Sequence, residues 1–522
     1  MAFAICCNLQ AAPEHEARKY LEALPGADLF REDAVAKLQI EISVPGLEVL
    51  QKEPRQFVSA TIRENQVVYT NVAIHLKGAI GSFRPVDDKP SLTVDFEHFS
   101  PGRKFHGLRR VHLNNSVEDP TYCNERLGSE LFGAAGIPAP RVAGALVTLN
   151  GRRLGLYVLK EGFTEDFLSC HFSHPGGNLY EPEEGHDVNQ HLKRNSVRAQ
   201  ARDRQALRAL AMAALDPNIS NRWAALNKSL ATKEFISFMA MEIMIGHRDG
   251  YCLARNNFRV YEELDSQKIM FLPDGMDQLF GNPSAPWQPR MAGLVAKAVI
   301  EIPEGKLGYR ECFTTLLTNL LRPDFLATRV DRVVASLRPF ATVAEFDSIQ
   351  NEAIALKRRI AERRRDLDLN VCQPELKLLS LENGDALLEN WVKAEEPHDG
   401  TMEMGQSPDG ISELHIMTRS EASTSWRTRA VLNRGHYRFE GRARVSGVKP
   451  LASGKHQGAA LRIGGSTRRS DDLVGDSSWR VLGTDFQVET DATEVEFICE
   501  LRAVGGEVWF DKATLKVVSM PQ

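Results

Sequence analysis

The chain is poor in the features that mark the simpler functional classes. Its eight cysteines, at 6, 7, 123, 170, 252, 312, 372 and 499, form no CxxC pair and no Cys/His group with zinc-finger spacing. That argues against a disulfide framework and a zinc module. No apolar run reaches the roughly 18 residues of a membrane span. A net charge of −5, with no basic excess, gives no reason to expect nucleic acid as a partner. There is no internal repeat and no low-complexity tract. What remains is a 522-residue chain, 25% charged and 43% hydrophobic, the composition of an ordinary globular protein with room for two or three domains.

Residues 1–30 read as a leader remnant or linker. MAFAICCNLQAAPEHEA is apolar and small, then polar, but has no Lys or Arg before its apolar part. Either a leader is truncated and the start misplaced, or this is only an apolar N-terminus. From Leu38 the pattern alternates, with Leu38, Ile40 and Ile42 on one face. Residues 57–78 continue it around a turn near Glu64-Asn65. Asp119-Pro120 is expected to open a helix as N-cap and first helical residue, with Glu125 in its second turn. Asn150-Gly151 between VAGALVTL and LGLYVL predicts a hairpin ending in Lys160-Glu161. Thr164 should cap a short helix. From about 200 the chain turns helical, up to a highly charged last helix near 351–368. Short alternating strands from 375 to 522 predict a β-sandwich.

The chemistry gathers in Ile245 to Gly281. NFRVY and KIMFL pair as a hairpin. One loop before it carries Asp249 and Asn256-Asn257, and the loop after it, PDGMD, carries Asp274 and Asp277. Asp, Asn and Asp converging at one end of a two-stranded ribbon suit Mg²⁺-dependent phosphoryl transfer: one Asp orients the attacking hydroxyl, while Asn and the second Asp hold the metal. Upstream lie a glycine turn (Gly78, Gly81, Ser82), Lys89 before a strand, and Glu125 on a helix, in the order of a protein kinase. Each has a plainer reading as turn, surface or capping residue.

LKG (76–78), KPSLTVDF (89–96), LNNSVEDPTYCNERLGSELF (113–132), LNGRRLGLYVLKEGFTEDFL (149–168), GNLYEP (177–182), HRDGY (247–251), NNFRVY (256–261) and GMDQLFG (275–281) together resemble the CotH (spore coat protein H) kinase family. The resemblance implies an α+β, atypical protein-kinase-like two-lobed fold over 31–370, with lobes of about 31–165 and 166–370. A jelly-roll-like all-β sandwich at 375–522 would follow. It implies ATP with Mg²⁺ or Mn²⁺, Ser/Thr of an exported protein as substrate, and an extracytoplasmic setting.

Carried over by position, Lys89 resembles the phosphate lysine, with Glu125 as its partner and Lys160 as the alternative lysine. Glu161 resembles a residue near the adenine strand, Asp249 the catalytic Asp, and His247 a catalytic-loop His. Asn257, ahead of Asn256, and Asp277 resemble the metal ligands. Two departures stand out. Asn257 follows Asp249 by eight positions, where a kinase loop has five. Gly275 also stands where the family has the first Asp of its pair, so Asp274 is a candidate to swing in. The alternative function is a non-catalytic or weakly catalytic surface protein whose sandwich binds glycan. The aromatic candidates for that are Trp426, Trp479, Trp509 and Tyr437, with core packing favoured for Trp509.

Overall fold

The structure is a computed structural model. It describes residues 24–521 except 32, 80, 191, 195–203, 372–377, 382, 408, 452–456 and 491–492. The expected leader or linker, with Cys6 and Cys7, lies almost wholly outside the described residues. Two compact units are present, Met1–Gln373 and Pro374–Gln522.

The first unit begins with strands whose alternate residues are buried, as a sheet with one covered face requires. These are β1 (Val35–Ile42), β2 (Val58–Glu64), β3 (Val67–Lys77), β4 (Ser91–Asp95), β5 (Arg110–Asn114), β6 (Val142–Leu149) and β7 (Arg152–Glu161). The antiparallel sheet expected over this stretch closes into a barrel, in the order β1-β2-β3-β4-β5-β7-β6, because β1 also runs parallel to β6. Ile40, Ile62, Ile74, Leu92, Leu113 and Leu159 fill its interior. Asn150 and Gly151 adopt φ of 46° and 81°, the left-handed pair a tight hairpin turn needs. Helix α1 (Val44–Lys52) joins β1 to β2, and α2 (Asn124–Ala134) lies between β5 and β6.

Helix α2 starts later than the sequence suggests. Tyr122 has φ of 59°, which breaks any helix run from Asp119. Asp119 still caps from a distance: its Oδ2 accepts from Asn124 N at 2.8 Å. Glu125 therefore sits in the first turn, not the second. Thr164 holds the N-cap position of α3 (Glu165–His171), but its side chain makes no capping bond.

A four-stranded sheet follows, from β8 (Leu179–Pro182), β9 (Leu192–Arg194), β10 (Phe258–Glu263) and β11 (Lys268–Pro273), in the order β11-β10-β8-β9. Around it pack α4 (Gln205–Leu215), α5 (Ile219–Ser229), α6 (Thr232–Met244), α7 (Tyr251–Ala254), α8 (Leu294–Ile300), α9 (Pro303–Asn319), α10 (Pro323–Leu337) and α11 (Val343–Val371). Phe235, Phe238, Tyr251, Phe258 and Phe271 form a continuous aromatic cluster beneath the β10–β11 hairpin. Helix α6 is buried nearly all round. Its end is thus a fixed platform for the loop that follows. No described helix is long and apolar enough to cross a membrane.

The second unit is a sandwich of a six-stranded and a four-stranded sheet. Trp391, Trp426, Phe439, Phe497 and Phe510 lie in its core.

Candidate functional site

Two loops meet at the start and end of the β10–β11 hairpin. The first leaves α6 through Gly246 (φ 64°) and carries His247, Arg248 and Asp249. His247 is fully buried. Its Nε2 lies 3.1 Å from the Gly275 carbonyl, and its Nδ1 lies 3.5 Å from Glu242 Oε1. Burial opposes the charge on this imidazole, but Glu242 and the carbonyl outweigh it and raise its pKa. Glu242 also accepts from the N–H groups of Tyr251 (2.9 Å) and Cys252 (2.8 Å) at the start of α7. These bonds pin the loop at both ends. Asp249 sits between them, half-buried, with no hydrogen bond or ion pair to its carboxylate among the described residues.

The second loop is tied to the first. Asn257 (φ 45°) donates from Nδ2 to Gly275 O at 3.1 Å, and its own carbonyl accepts from Asp274 N at 2.9 Å. Gly275 (φ 53°) lies so close that a β-carbon there would come 2.4 Å from the Asn257 side chain. The glycine that stands where the resemblance implies an Asp thus coincides with a close backbone approach. Arg248 donates to Gln278 Oε1 (2.9 Å), and Gln278 donates to Glu118 Oε1 (2.8 Å).

The barrel contributes a buried ion pair. Lys160 Nζ lies 3.1 Å from Glu125 Oε2 and 2.5 Å from Asp274 Oδ1. Lys160 and Glu125 are each 2% exposed. Arg259, on β10, holds the other oxygen of Asp274 at 2.7 Å and Glu181 at 2.9 Å. Burial alone would raise the Asp274 carboxyl, but Arg259, Lys160 and Lys77 hold it well below the usual carboxylate range.

Lys89, the expected partner of Glu125, is elsewhere. Its ammonium donates to the Tyr122 hydroxyl at 3.0 Å and lies 5.3 Å from the Tyr122 and Tyr157 ring centres. Burial pulls its pKa down to about 8. The physical reason is register: Lys89 precedes β4 on its approach to the barrel, whereas β7 carries Lys160 to the face that meets Asp274. Glu161, next in β7, points the opposite way and is gripped by Arg141 at 2.5 and 2.9 Å. Gly78 and Gly81 have φ of 104° and 96°. Ser82 Oγ accepts from Ala79 N (3.2 Å), closing that turn, and Gly81 packs against the Glu118 carboxylate.

Asp277 is different from Asp274. Burial, then Glu125 and Glu118, push its carboxyl up to about 7. Beside it, Asn124 donates to the Asp277 carbonyl at 2.8 Å, while Asn124 Oδ1 is buried without a partner. A carboxylate made costly by neighbouring carboxylates, next to an unused amide oxygen, suits a hard divalent cation. Among the described residues, no three His, Cys, Asp or Glu side chains cluster to hold a metal. An ion here would complete its shell with carboxamide, phosphate and water oxygens, as magnesium commonly does. Asp274, already bound by two cations, would have to leave both to join it.

Sequence reasoning missed Arg259, Glu181 and Lys77, which are distant in sequence from their partners, and Glu242, which lies within the apolar run of α6. It also missed Arg363. The charged α11 buries this one guanidinium (1% exposed). It donates to Ile243 O (2.9 Å) and Met244 O (3.1 Å) at the end of α6, and to Pro283 O (3.0 Å) and Ala285 O (2.5 Å) beyond the second loop.

In the sandwich, Trp426 and Tyr437 are buried, not exposed. Trp509 lies on the outer face of the six-stranded sheet, not in the core. It stacks on His415 (4.7 Å) and on the Arg444 guanidinium (4.3 Å). Arg444 also lies 5.3 Å from the Trp479 ring.

A family model described as CotH kinase protein matches residues 74–359, more than half of the chain. Invasin CotH2 of Rhizopus delemar is 27% identical over 189 residues, 32% of this chain and 32% of that protein. The inner spore coat protein H of Bacillus subtilis is 31% identical over 81 residues, 16% of this chain and 22% of that protein. The matched stretches thus span under a third of either relative. Among solved structures, the proinflammatory kinase CtkA of Helicobacter pylori aligns over 56% of this chain and 96% of its own, at 9% identity and a TM-score of 0.23. TmCBM61, solved with β-1,4-galactotriose, aligns over 27% and 92%, at 11% identity and 0.19. Both scores are low.

Proposed function

Because the chain belongs to the CotH kinase protein family, we propose that it is an ATP- and Mg²⁺-dependent kinase of two-lobed, kinase-like layout, acting on Ser or Thr of an exported or surface protein. The observation that carries this reading is the buried Lys160–Glu125 pair reaching Asp274, with the unpaired Asp249 on the loop tied to the same hairpin. Lys160 holds the phosphates and Glu125 keeps its ammonium in place. Asp249 orients the attacking hydroxyl and accepts its proton. Asn257 and Asp277 are the residues to hold a divalent ion. Bound there, it would neutralise charge on the transferring phosphate. Arg248 and Gln278 keep the two loops in register. In this reading Lys89 rests on Tyr122 and Tyr157, and Lys160 takes the phosphate role. The named setting of the curated relatives, an invasin and a spore coat protein, supports an extracytoplasmic site of action.

The test is incorporation of labelled phosphate from ATP with Mg²⁺ or Mn²⁺, comparing the full chain with Asp249→Ala and Asp277→Ala. Incorporation that depends on both Asp residues is expected. No Asp-dependent incorporation, together with no thermal shift on adding ATP, would overturn the reading.

The alternative, a surface protein with little or no catalysis, draws support from the salt-locked Asp274 and from Gly275. Glycan binding by the sandwich has less behind it, because the guanidinium of Arg444 already stands between the Trp509 and Trp479 rings.

A further inference from the structure

The cations of the site are not equally compensated. Lys160 faces Glu125 and Asp274, and Arg259 faces Asp274 and Glu181. Lys77 has no such partner. It is the last residue of β3, and its Nζ donates to the neutral Asn114 Oδ1 at 2.8 Å. No ion pair reaches it among the described residues. Strand register puts it on the Lys160 side of the barrel wall. His75, Thr93, His112 and Lys160 pair in a row across β3, β4, β5 and β7. Lys77 lies two residues from His75, and Asn114 lies two from His112, so both share that face. Burial, then Lys160, lower the pKa of Lys77, against the pull of Asp274 and Glu125. Burial, then Lys77, hold His112 well below its usual value and so neutral. The face thus presents two ammonium groups, and among the described residues Lys77 feels Asp274 and Glu125 only beyond ion-pair distance. It borders Gly78, where the backbone turns with φ of 104°.

A half-buried cation whose hydrogen-bond partner is neutral, beside a carboxylate already held by Lys160 and Arg259, gains from an anion that reaches it. We propose that Lys77 is a second anion contact at this site, seating the phosphate chain of a nucleoside polyphosphate together with Lys160. For its nucleotide, though not for its anion, this rests on the phosphotransfer reading. Lys160 grips the phosphates from the side of Asp274, and Lys77 from the side of the Gly78 turn. A ligand with more phosphates engages both lysines, so the seat favours a triphosphate over a monophosphate.

The experiment is titration of the full chain with ATP and separately with inorganic tripolyphosphate, comparing wild type, Lys77→Met and Lys77→Arg. Loss of a charged hydrogen bond predicts about ten- to a hundredfold weaker binding of both ligands to Lys77→Met, with Lys77→Arg close to wild type. Without ligand, Lys77→Met should unfold close to wild type, since Lys77 makes no ion pair among the described residues and Asp274 keeps Lys160 and Arg259, and this separates ligand loss from misfolding. Equal binding by wild type and Lys77→Met overturns the assignment while leaving the kinase reading intact. Tripolyphosphate binding that depends on Lys77, with no response to ATP, upholds the anion seat and overturns its nucleotide. Failure of wild type to bind either ligand overturns the proposal.

Discussion

Replacing Lys160 by Met would keep the stem of the side chain and remove the charge between Glu125 and Asp274. The consequences for the two carboxylates differ. Asp274 retains Arg259 at 2.7 Å. Glu125, 2% exposed, loses the one cation paired with it. Breaking a buried pair from one side costs about 3–5 kcal/mol. At about 1.4 kcal/mol per decade, that shifts the folding equilibrium by about a hundredfold to a few thousandfold. Glu125→Gln should cost less, since Lys160 still has Asp274. In the double variant neither charge remains, so its loss should fall short of the sum of the two singles by about 2–3 kcal/mol. Urea unfolding of the full chain at neutral pH measures this. Residues Pro374–Gln522 form their own compact unit, so a transition belonging to the sandwich should not move and serves as an internal reference. A Lys160→Met variant within about 1 kcal/mol of wild type, or strict additivity in the double variant, would show that the pair does not bear on folding as argued.

Three further outcomes follow from the same geometry. Asp277 titrates near 7 when folded and near 3.8 when unfolded, so between those values the folded state binds more protons and stability falls as pH rises. In chelator, Asp277→Asn should abolish that slope and be more stable than wild type above pH 7 by up to about 4 kcal/mol, while losing phosphate transfer; parallel pH–stability curves would refute it. Gly275→Asp, the residue that the family resemblance implies at this position, should cost about 2–3 kcal/mol in a melt through its left-handed backbone and the Asn257 collision. Adding Asn257→Ala should recover part of that. His106 is pushed up to about 9 by Glu64 and Asp28, so its contribution is complete below about 6.5 and is lost as pH rises through 9. Because Asp28 is exposed, His106→Gln should lose only about 1–2 kcal/mol at pH 6 and nothing near pH 10.

Much of the fold was legible because it is local. The Asn150-Gly151 hairpin, the β10–β11 hairpin and the long apolar α6 declare themselves within a dozen residues. Closure of the barrel through β1 and β6 was not, since a parallel pairing between strands about a hundred residues apart leaves no local mark. The same limit explains the lysines. Lys89 and Lys160 both precede or end strands in plausible places, and only the register of β7 against β5 puts Lys160 before Asp274. Lys77 was read as part of a motif and not as a charge, because nothing in sequence reveals that its neighbour across the sheet is Asn114. The loop residues at 247–249, 257 and 274–277 were recognisable as a group because a hairpin forces its two ends together.

The Arg363 anchor bears on where this domain physically ends. The family match stops at residue 359, four positions short of it. A fragment cut there would keep every motif by which the family is recognised, yet take the Arg363 donor away from the carbonyls of Ile243, Met244, Pro283 and Ala285. Those carbonyls flank both loops of the site. The unit that inheritance marks out and the unit that can hold its own backbone in place are therefore not the same length, and the last turns of α11 belong to the second.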